Sequence, residues 1–447
     1  MRNRLFALGT AMVAGAVLLA GCSGSPGSSS TNGVADSTTA VNTNVDGTGK
    51  TLTLWYYESD DSAMGIAWNQ AIKTFEKETG AKVDFEAKPF EQIRTTASQM
   101  LNSNVAPDVM EYNKGNATAG LLASQGLLTN LDAAVQAYGW DKKLAPSLQT
   151  TAKYDDKGIM GSGNWYGISN YGEYVEMYYN KDMFAKYNIA VPTTFDEFEA
   201  ALKTFKDNGI TPLAESAVDF PLGQLWYQVA LTKADRNWVN DYQLYKGKVD
   251  WHGPELSYAT QTIKDWVDNG YISQDATGMK SDATMTAFEN GTYPMYFTGT
   301  WSYNQFTTDI TGFKWGTFLF PGANMYPGSS GQLWVVPAKA KNKELAYKFI
   351  DITMSPEIQA LLGNSGSIPV AANSADITDP QGQALIDNFN ILTEKDGIAF
   401  YPDWPTPTFY DQLNAGLQEL VNGTKSVEDV NTELGTEYQT AVDSITK

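Results

Sequence analysis

Thr51-Leu52-Thr53-Leu54-Trp55-Tyr56 opens the folded part of the chain. This run of β-branched, apolar and aromatic residues reads as a strand. A helix is expected from about Ser62 to Glu78, with Ile66, Ile72 and Phe75 along its apolar side and Gly80 ending it. Lys82-Val83-Asp84-Phe85-Glu86 alternates polar and apolar as a second strand, and a helix near Phe90–Leu101 leads to a third at Pro107-Asp108-Val109-Met110. Strand–helix–strand–helix–strand order predicts α/β layers around a mainly parallel sheet.

A second block repeats the pattern. Tyr174 to Tyr179 reads as a strand, Thr193 to Asn208 as a helix, and Leu213 lies near the next strand. Thr194 and Glu197 have the spacing of a capping box, as do Ser426 and Asp429. Further helices are expected at Tyr258–Asn269, Asp282–Asn290, Asn342–Met354 and Phe409–Val421, and another from Ser355, where Pro356 takes the favoured first position. Two α/β bodies are expected, with the chain passing between them more than once.

The N-terminus carries an address. Arg2 and Arg4 precede a short apolar run, Leu5 to Ala20, that ends in Leu19-Ala20-Gly21-Cys22. A basic tip, a greasy segment and a small-residue cleavage site mark an export signal. Leu-Ala-Gly-Cys resembles the bacterial lipoprotein box, which implies a signal peptide over 1–21, lipid on Cys22, and an extracytoplasmic protein anchored to the cell membrane. Cys22 is the only cysteine, so no disulfide is available. Residues 22–49, rich in Ser, Thr, Asn and Gly, read as a disordered tether.

A formal charge of −20, more negative still once Arg2 and Arg4 are removed, disfavours nucleic acid and suits a neutral or cationic ligand. The chain also holds 12 Trp and 24 Tyr, several beside Gly, Asn or Pro and outside any helical or strand period. Their flat faces and polar handles match the two surfaces of a sugar.

Catalytic patterns are not found. The one histidine, His252, sits in the turn-like Asp250-Trp251-His252-Gly253-Pro254. No zinc cluster, calcium loop, nucleophile elbow, dinucleotide fingerprint or phosphate loop is present in the sequence. Paired carboxylates for glycoside hydrolysis stay open, because with 51 acids some pair always falls at a suitable spacing. No catalytic residue, metal or cofactor is expected.

A series of motifs decides further. Tyr166-Gly167-Ile168 leads into Tyr178-Tyr179-Asn180-Lys181-Asp182-Met183-Phe184, followed by Pro192-Thr193-Thr194-Phe195-Asp196-Glu197-Phe198. Then come Ala287-Phe288-Glu289-Asn290-Gly291 through Met295 to Gly299-Thr300-Trp301, Lys341-Asn342-Lys343-Glu344-Leu345-Ala346, Ser355-Pro356-Glu357-Ile358-Gln359 and Ile368-Pro369-Val370. In order and spacing, from about Thr51 onward, the chain resembles the family 1 extracellular solute-binding proteins. These are substrate-capturing lipoproteins of ATP-driven sugar importers, related to maltose-binding protein.

That resemblance implies a periplasmic-binding-protein type II fold, two α/β lobes joined by a multi-crossing hinge around a ligand cleft. The N-terminal lobe would take 50–168 and 330–360, the C-terminal lobe 169–315 and 361–447, with a hinge-crossing segment at 316–329. Matching positions imply ligand contacts from Tyr56, Tyr57 and Glu58, and from Tyr112, Asn113 and Lys114. The other wall would draw on Asp219, Phe220, Trp226, Trp301, Trp404 and Tyr410. The implied ligand is a neutral oligosaccharide, since so many rings suggest more than one sugar unit. The implied partners are ABC-transporter permease subunits, with the ATPase coupled through them, and the protein is expected to be a monomer. Rival classes are a binding protein for a polyamine or glycerol phosphate, a surface glycoside hydrolase, and a structural adhesin.

Overall fold

The computed structural model describes residues 40–372 and 376–447. The expected signal peptide, Cys22 and the part of the expected tether before residue 40 lie outside the described residues.

The opening stretch folds as its pattern dictates. Thr51–Tyr56 pairs in parallel with Lys82–Ala87 on one side and Val109–Tyr112 on the other. Leu333–Val335 then adds antiparallel to Val109–Tyr112, and Ile168–Ser169 completes the five strands. Helix Ala63–Thr79 begins at Ser62, whose side chain accepts from Gly65 N, and ends at the left-handed Gly80 (φ 71°). Its buried face keeps Phe75, with Ile72 packed partly against the core, and departs from expectation at Ile66. Met64, Ala67, Trp68, Ala71 and Phe75 point inward at three- and four-residue spacing, while Ile66 is exposed. Trp68, Trp334, Phe75 and Phe349 then interlock edge to face between the sheet and helices Ala63–Thr79 and Lys343–Thr353. Burying each such ring contributes about 2–3 kcal/mol.

A second sheet runs Trp315–Phe318, Glu173–Asn180, Met295–Gly299, Leu213–Ala214, with Gly328–Ser329 also on Glu173–Asn180. Its long strands are antiparallel, and only Leu213–Ala214 and Met295–Gly299 run parallel. The parallel reading thus holds for the strands that open the chain and not for this sheet. Both capping boxes form, Thr194 with Glu197 and Ser426 with Asp429.

Two expected boundaries need correcting. Residues 316–318 and 328–329 pair with Glu173–Asn180, so both ends of 316–329 belong to the second sheet and the chain crosses to the first only between Ser329 and Leu333. There Gly331 adopts φ +67°, and a Cβ would sit 2.2 Å from the Tyr171 carbonyl oxygen, so only glycine fits. The tether also ends sooner than residue 49. Val41 and Val45 pack against the core, and Gly47 N–H donates to Thr79 O at 2.8 Å.

Candidate functional site

Loops from both sheets converge beyond the carboxyl ends of Thr51–Tyr56, Val109–Tyr112 and Met295–Gly299, the usual place for a ligand in α/β structures. The floor is an ion pair. Lys114, directly past the third strand, places Nζ 2.6 Å from Glu173 Oε1, and the two side chains are 1% and 2% exposed. Ser329 Oγ donates to the same carboxylate oxygen at 3.2 Å. Lys114 Nζ also lies 5.6 Å from the Tyr401 ring and 5.5 Å from that of Trp404. Burial pushes the Lys114 amine below its ordinary range, and Glu173 pulls it back.

Carboxyls crowd this pair. Glu111 is fully buried; Oε1 accepts from Asn170 Nδ2 at 2.7 Å and Oε2 has no hydrogen-bond partner among the described residues. Burial raises it to about 7, against the steadying effect of Asn170, the Tyr57 N–H and Lys114. Glu58, half-buried on the loop after the first strand, is held well above the usual carboxylate range by burial, then by Glu111 and Glu173. Asp403, half-buried, is raised to about 6 by burial, although Arg94 and Lys114 pull it down.

Aromatic rings form the opposing wall. Trp301 follows Gly299, where a Cβ would lie 2.0 Å from the indole, so the ring folds back over the end of its own strand. It is half-buried, edge-on to Phe220 at 6.1 Å and 6.3 Å from Tyr401. Tyr401 in turn meets Trp404 at 5.2 Å.

Contacts bridge the two sides at the rim. Arg94 bonds Glu91 through Nε and Asp411 through a terminal nitrogen, each at 3.0 Å, and its guanidinium lies 4.1 Å from the Tyr410 ring. Tyr410 donates its hydroxyl to Glu91 at 2.9 Å. Elsewhere Asn304 Nδ2 donates to Asp61 O at 2.8 Å, and Ala117 N–H to Trp404 O at 2.9 Å.

The expected site residues divide. Glu58, Lys114, Phe220, Trp301 and Tyr410 come together here, and Tyr57 joins them with an enclosed hydroxyl that lacks a partner among the described residues. Trp404 is 1% exposed and serves as backing for Gly115, where a Cβ would meet its ring at 2.6 Å. Tyr112 is buried at its strand end, and Asn113 accepts from Lys114 N at 3.0 Å, shaping the turn.

Three expectations are overturned. Tyr56 points into the core, stacked on Phe85 at 4.0 Å, because alternation along the strand sends it to the opposite face from Tyr57. Asp219 accepts from Ser216 Oγ and from the N–H and hydroxyl of Ser281, which commits its carboxylate to the start of helix Ser281–Glu289. Trp226 lies inside the packing of helix Phe220–Leu231, fully buried, with Nε1 bonded to Thr260 at 2.9 Å. The helix is buried on every side, Gln224 and Gln228 included, so it offers no periodicity to separate it from a loop wall. Glu111, Glu173, Tyr401, Asp403 and Arg94 went unassigned. The last is one of only two arginines after residue 21, which was a usable signal.

Comparison with known proteins agrees with this architecture. A diacetylchitobiose binding protein of Streptomyces coelicolor is 25% identical over 332 residues, covering 72% of this chain and 73% of its own. A probable sugar-binding periplasmic protein of Rhizobium meliloti is 29% identical over 191 residues, 42% of this chain and only 39% of that relative's length. A solved chitin oligosaccharide binding protein superposes with a TM-score of 0.74 at 22% identity, covering 88% of this chain and 98% of the other, which speaks for a shared fold. The family profile described as bacterial extracellular solute-binding protein matches residues 70–389. With the two sheets, the loops that meet at their strand ends and this match, the chain belongs to the bacterial extracellular solute-binding proteins.

Proposed function

We propose that this chain is the capture subunit of a carbohydrate ABC importer, binding a saccharide between its two lobes and handing it unaltered to a membrane permease. The observation that carries the reading is the wall of Trp301, Phe220 and Tyr401, with Lys114 from the other sheet 5.6 Å from the Tyr401 ring. Stacking faces opposite polar anchors are what a sugar ring needs. The sugar-binding relatives support the same class. In this reading each sheet with its helices is a lobe, divided near 50–168 with 330–360 and 169–315 with 361–447, and the ligand favours closure through its extra contacts there. The chain acts as a monomer, without catalysis, outside the cytoplasm, and is held to the membrane by lipid on Cys22. An oligosaccharide remains the expected size class.

Titrating the purified mature chain with a saccharide panel, following tryptophan fluorescence and recovering the sugar, tests this. Saturable quenching with intact sugar supports it, while shortened sugar identifies a hydrolase. Trp301→Ala is expected to weaken binding more than about tenfold, the value of one good stacking contact, with an unchanged circular dichroism spectrum. Arg94→Ala removes the rim contact to Asp411 and Tyr410. Ligand release in stopped flow should quicken about fivefold, as expected for loss of roughly 1 kcal/mol from a partly exposed pair.

A further inference from the structure

Gln359, on helix Pro356–Asn364, is 0% exposed, and its amide is filled on both sides. Nε2 donates to Asn170 O and to Thr353 O, each at 3.0 Å. Oε1 accepts from the N–H of Val370 at 2.8 Å and of Ala371 at 3.2 Å. Two N–H donors and two acceptor lone pairs are the whole capacity of such a side chain. Carbonyls on one side and amides on the other also leave it a single orientation.

Its partners lie where the chain passes between the sheets. One passage runs from Ile168–Ser169 through Asn170 to Glu173. A second is Ser329 to Leu333. The third follows helix Pro356–Asn364, which packs on Ala63–Thr79, and leads to Phe389, 6.5 Å from Tyr174 of the second sheet. Asn170 N–H donates to Gln332 O at 3.1 Å, which joins the first passage to the second. Gly172 N–H donates to Ile368 O at 2.7 Å, which joins the first to the third. Gln359 links the first and third once more. Asn170 Nδ2 meanwhile donates to Glu111 Oε1 at 2.7 Å, so the residue that Gln359 holds by its carbonyl also reaches the candidate site.

We infer that Gln359 is a positioning residue that binds the three passages into one joint and so fixes the axis about which the two halves open and close. This rests on the two-lobe capture reading and adds what sets the direction of the motion. Three separate passages would bend independently, and the halves would wobble as well as hinge. Enclosed hydrogen bonds prevent this, because each one broken leaves a buried backbone group unpaired. The joint also unites two motifs of the sequence, since Gln359 ends Ser355-Pro356-Glu357-Ile358-Gln359 and Val370 ends Ile368-Pro369-Val370.

The test uses the mature chain without added saccharide. Amide hydrogen exchange is compared in wild type, Gln359→Met and Gln359→Glu. Pulsed EPR distances are compared in the same three, between spin labels at Val105→Cys and Lys203→Cys in a Cys22→Ser background, both positions being exposed. Gln359→Met removes all four bonds. Exchange at Asn170, Gly172, Val370 and Ala371 should quicken at least about tenfold relative to strands Thr51–Tyr56 and Met295–Gly299, and the label distances should spread about twofold. Gln359→Glu keeps an acceptor for Val370 and Ala371 but loses both donors, so it should quicken Asn170 and Gly172 alone. It gives the reading if the methionine variant does not fold. Exchange that quickens by one factor everywhere overturns the inference and leaves Gln359 a stabilising residue only. Label distances as narrow in both variants as in wild type overturn it as well. Failure of every saccharide in the panel to bind overturns the carbohydrate reading and leaves this inference standing, since neither readout uses one.

Discussion

Lys114→Met is expected to destabilise the protein by about 3–5 kcal/mol at pH 7, the cost of breaking a buried ion pair from one side. The amine lies 2.6 Å from Glu173, with both side chains out of solvent, and Glu111 and Glu58 stand in the same space. Removing it leaves several carboxyls enclosed without a counter-charge. Urea unfolding measures the loss, which should shrink at pH 5, where Glu111 and Glu58 hold their protons. The double variant Lys114→Met with Glu173→Gln should recover much of it. A lysine that only decorated the site would show neither the pH dependence nor the rescue.

Glu176→Gln is expected to do the opposite. Glu176 sits mid-strand in Glu173–Asn180, fully buried, and neither carboxylate oxygen has a hydrogen-bond partner among the described residues. Burial raises it to about 8, only partly offset by the nearby hydroxyls of Thr317, Tyr174 and Tyr178. In the unfolded chain it titrates near 4.3. Below that value both states hold the proton. As pH rises from about 4.3 to 8 the unfolded chain gives it up first, so stability falls by about 1.4 kcal/mol per pH unit and levels off above 8. At pH 7 this amounts to about 3–4 kcal/mol, which an amide does not incur. Wild type and variant should have similar urea midpoints near pH 4.5, and the variant should be the more stable by about 2–4 kcal/mol near pH 7.5. Parallel pH profiles would place the proton elsewhere.

Much of the scaffold was legible because its signals are local. Ser62, Gly80, Thr194, Ser355 and Ser426 mark helix ends through side-chain or backbone bonds made within a few residues. Asp108 shows where locality ends. Its carboxylate accepts from Thr53 N and from the Lys341 and Asn342 amides at 2.8–3.0 Å, which ties the third strand's entry to the first strand and to a helix over two hundred residues away. The site divided along the same line. Trp301, at a strand's end after a glycine, and Glu58, on the loop after the first strand, could be placed from their own segments. Trp226 could not, because a helix buried on all sides carries no stripe. Glu173 sits just ahead of the expected strand, and only the crossing at Gly331 and the arrival of Lys114 give that carboxylate its role.

The packing of Val41, Val45 and Gly47 beside Thr79 carries a mechanical consequence. It moors the chain's leading end to the half built on Thr51–Tyr56. Cutting that segment away would bare the apolar surface beneath Val41 and Val45 and free the Thr79 carbonyl, so the chain ahead of the first strand works as a clasp on the half it precedes.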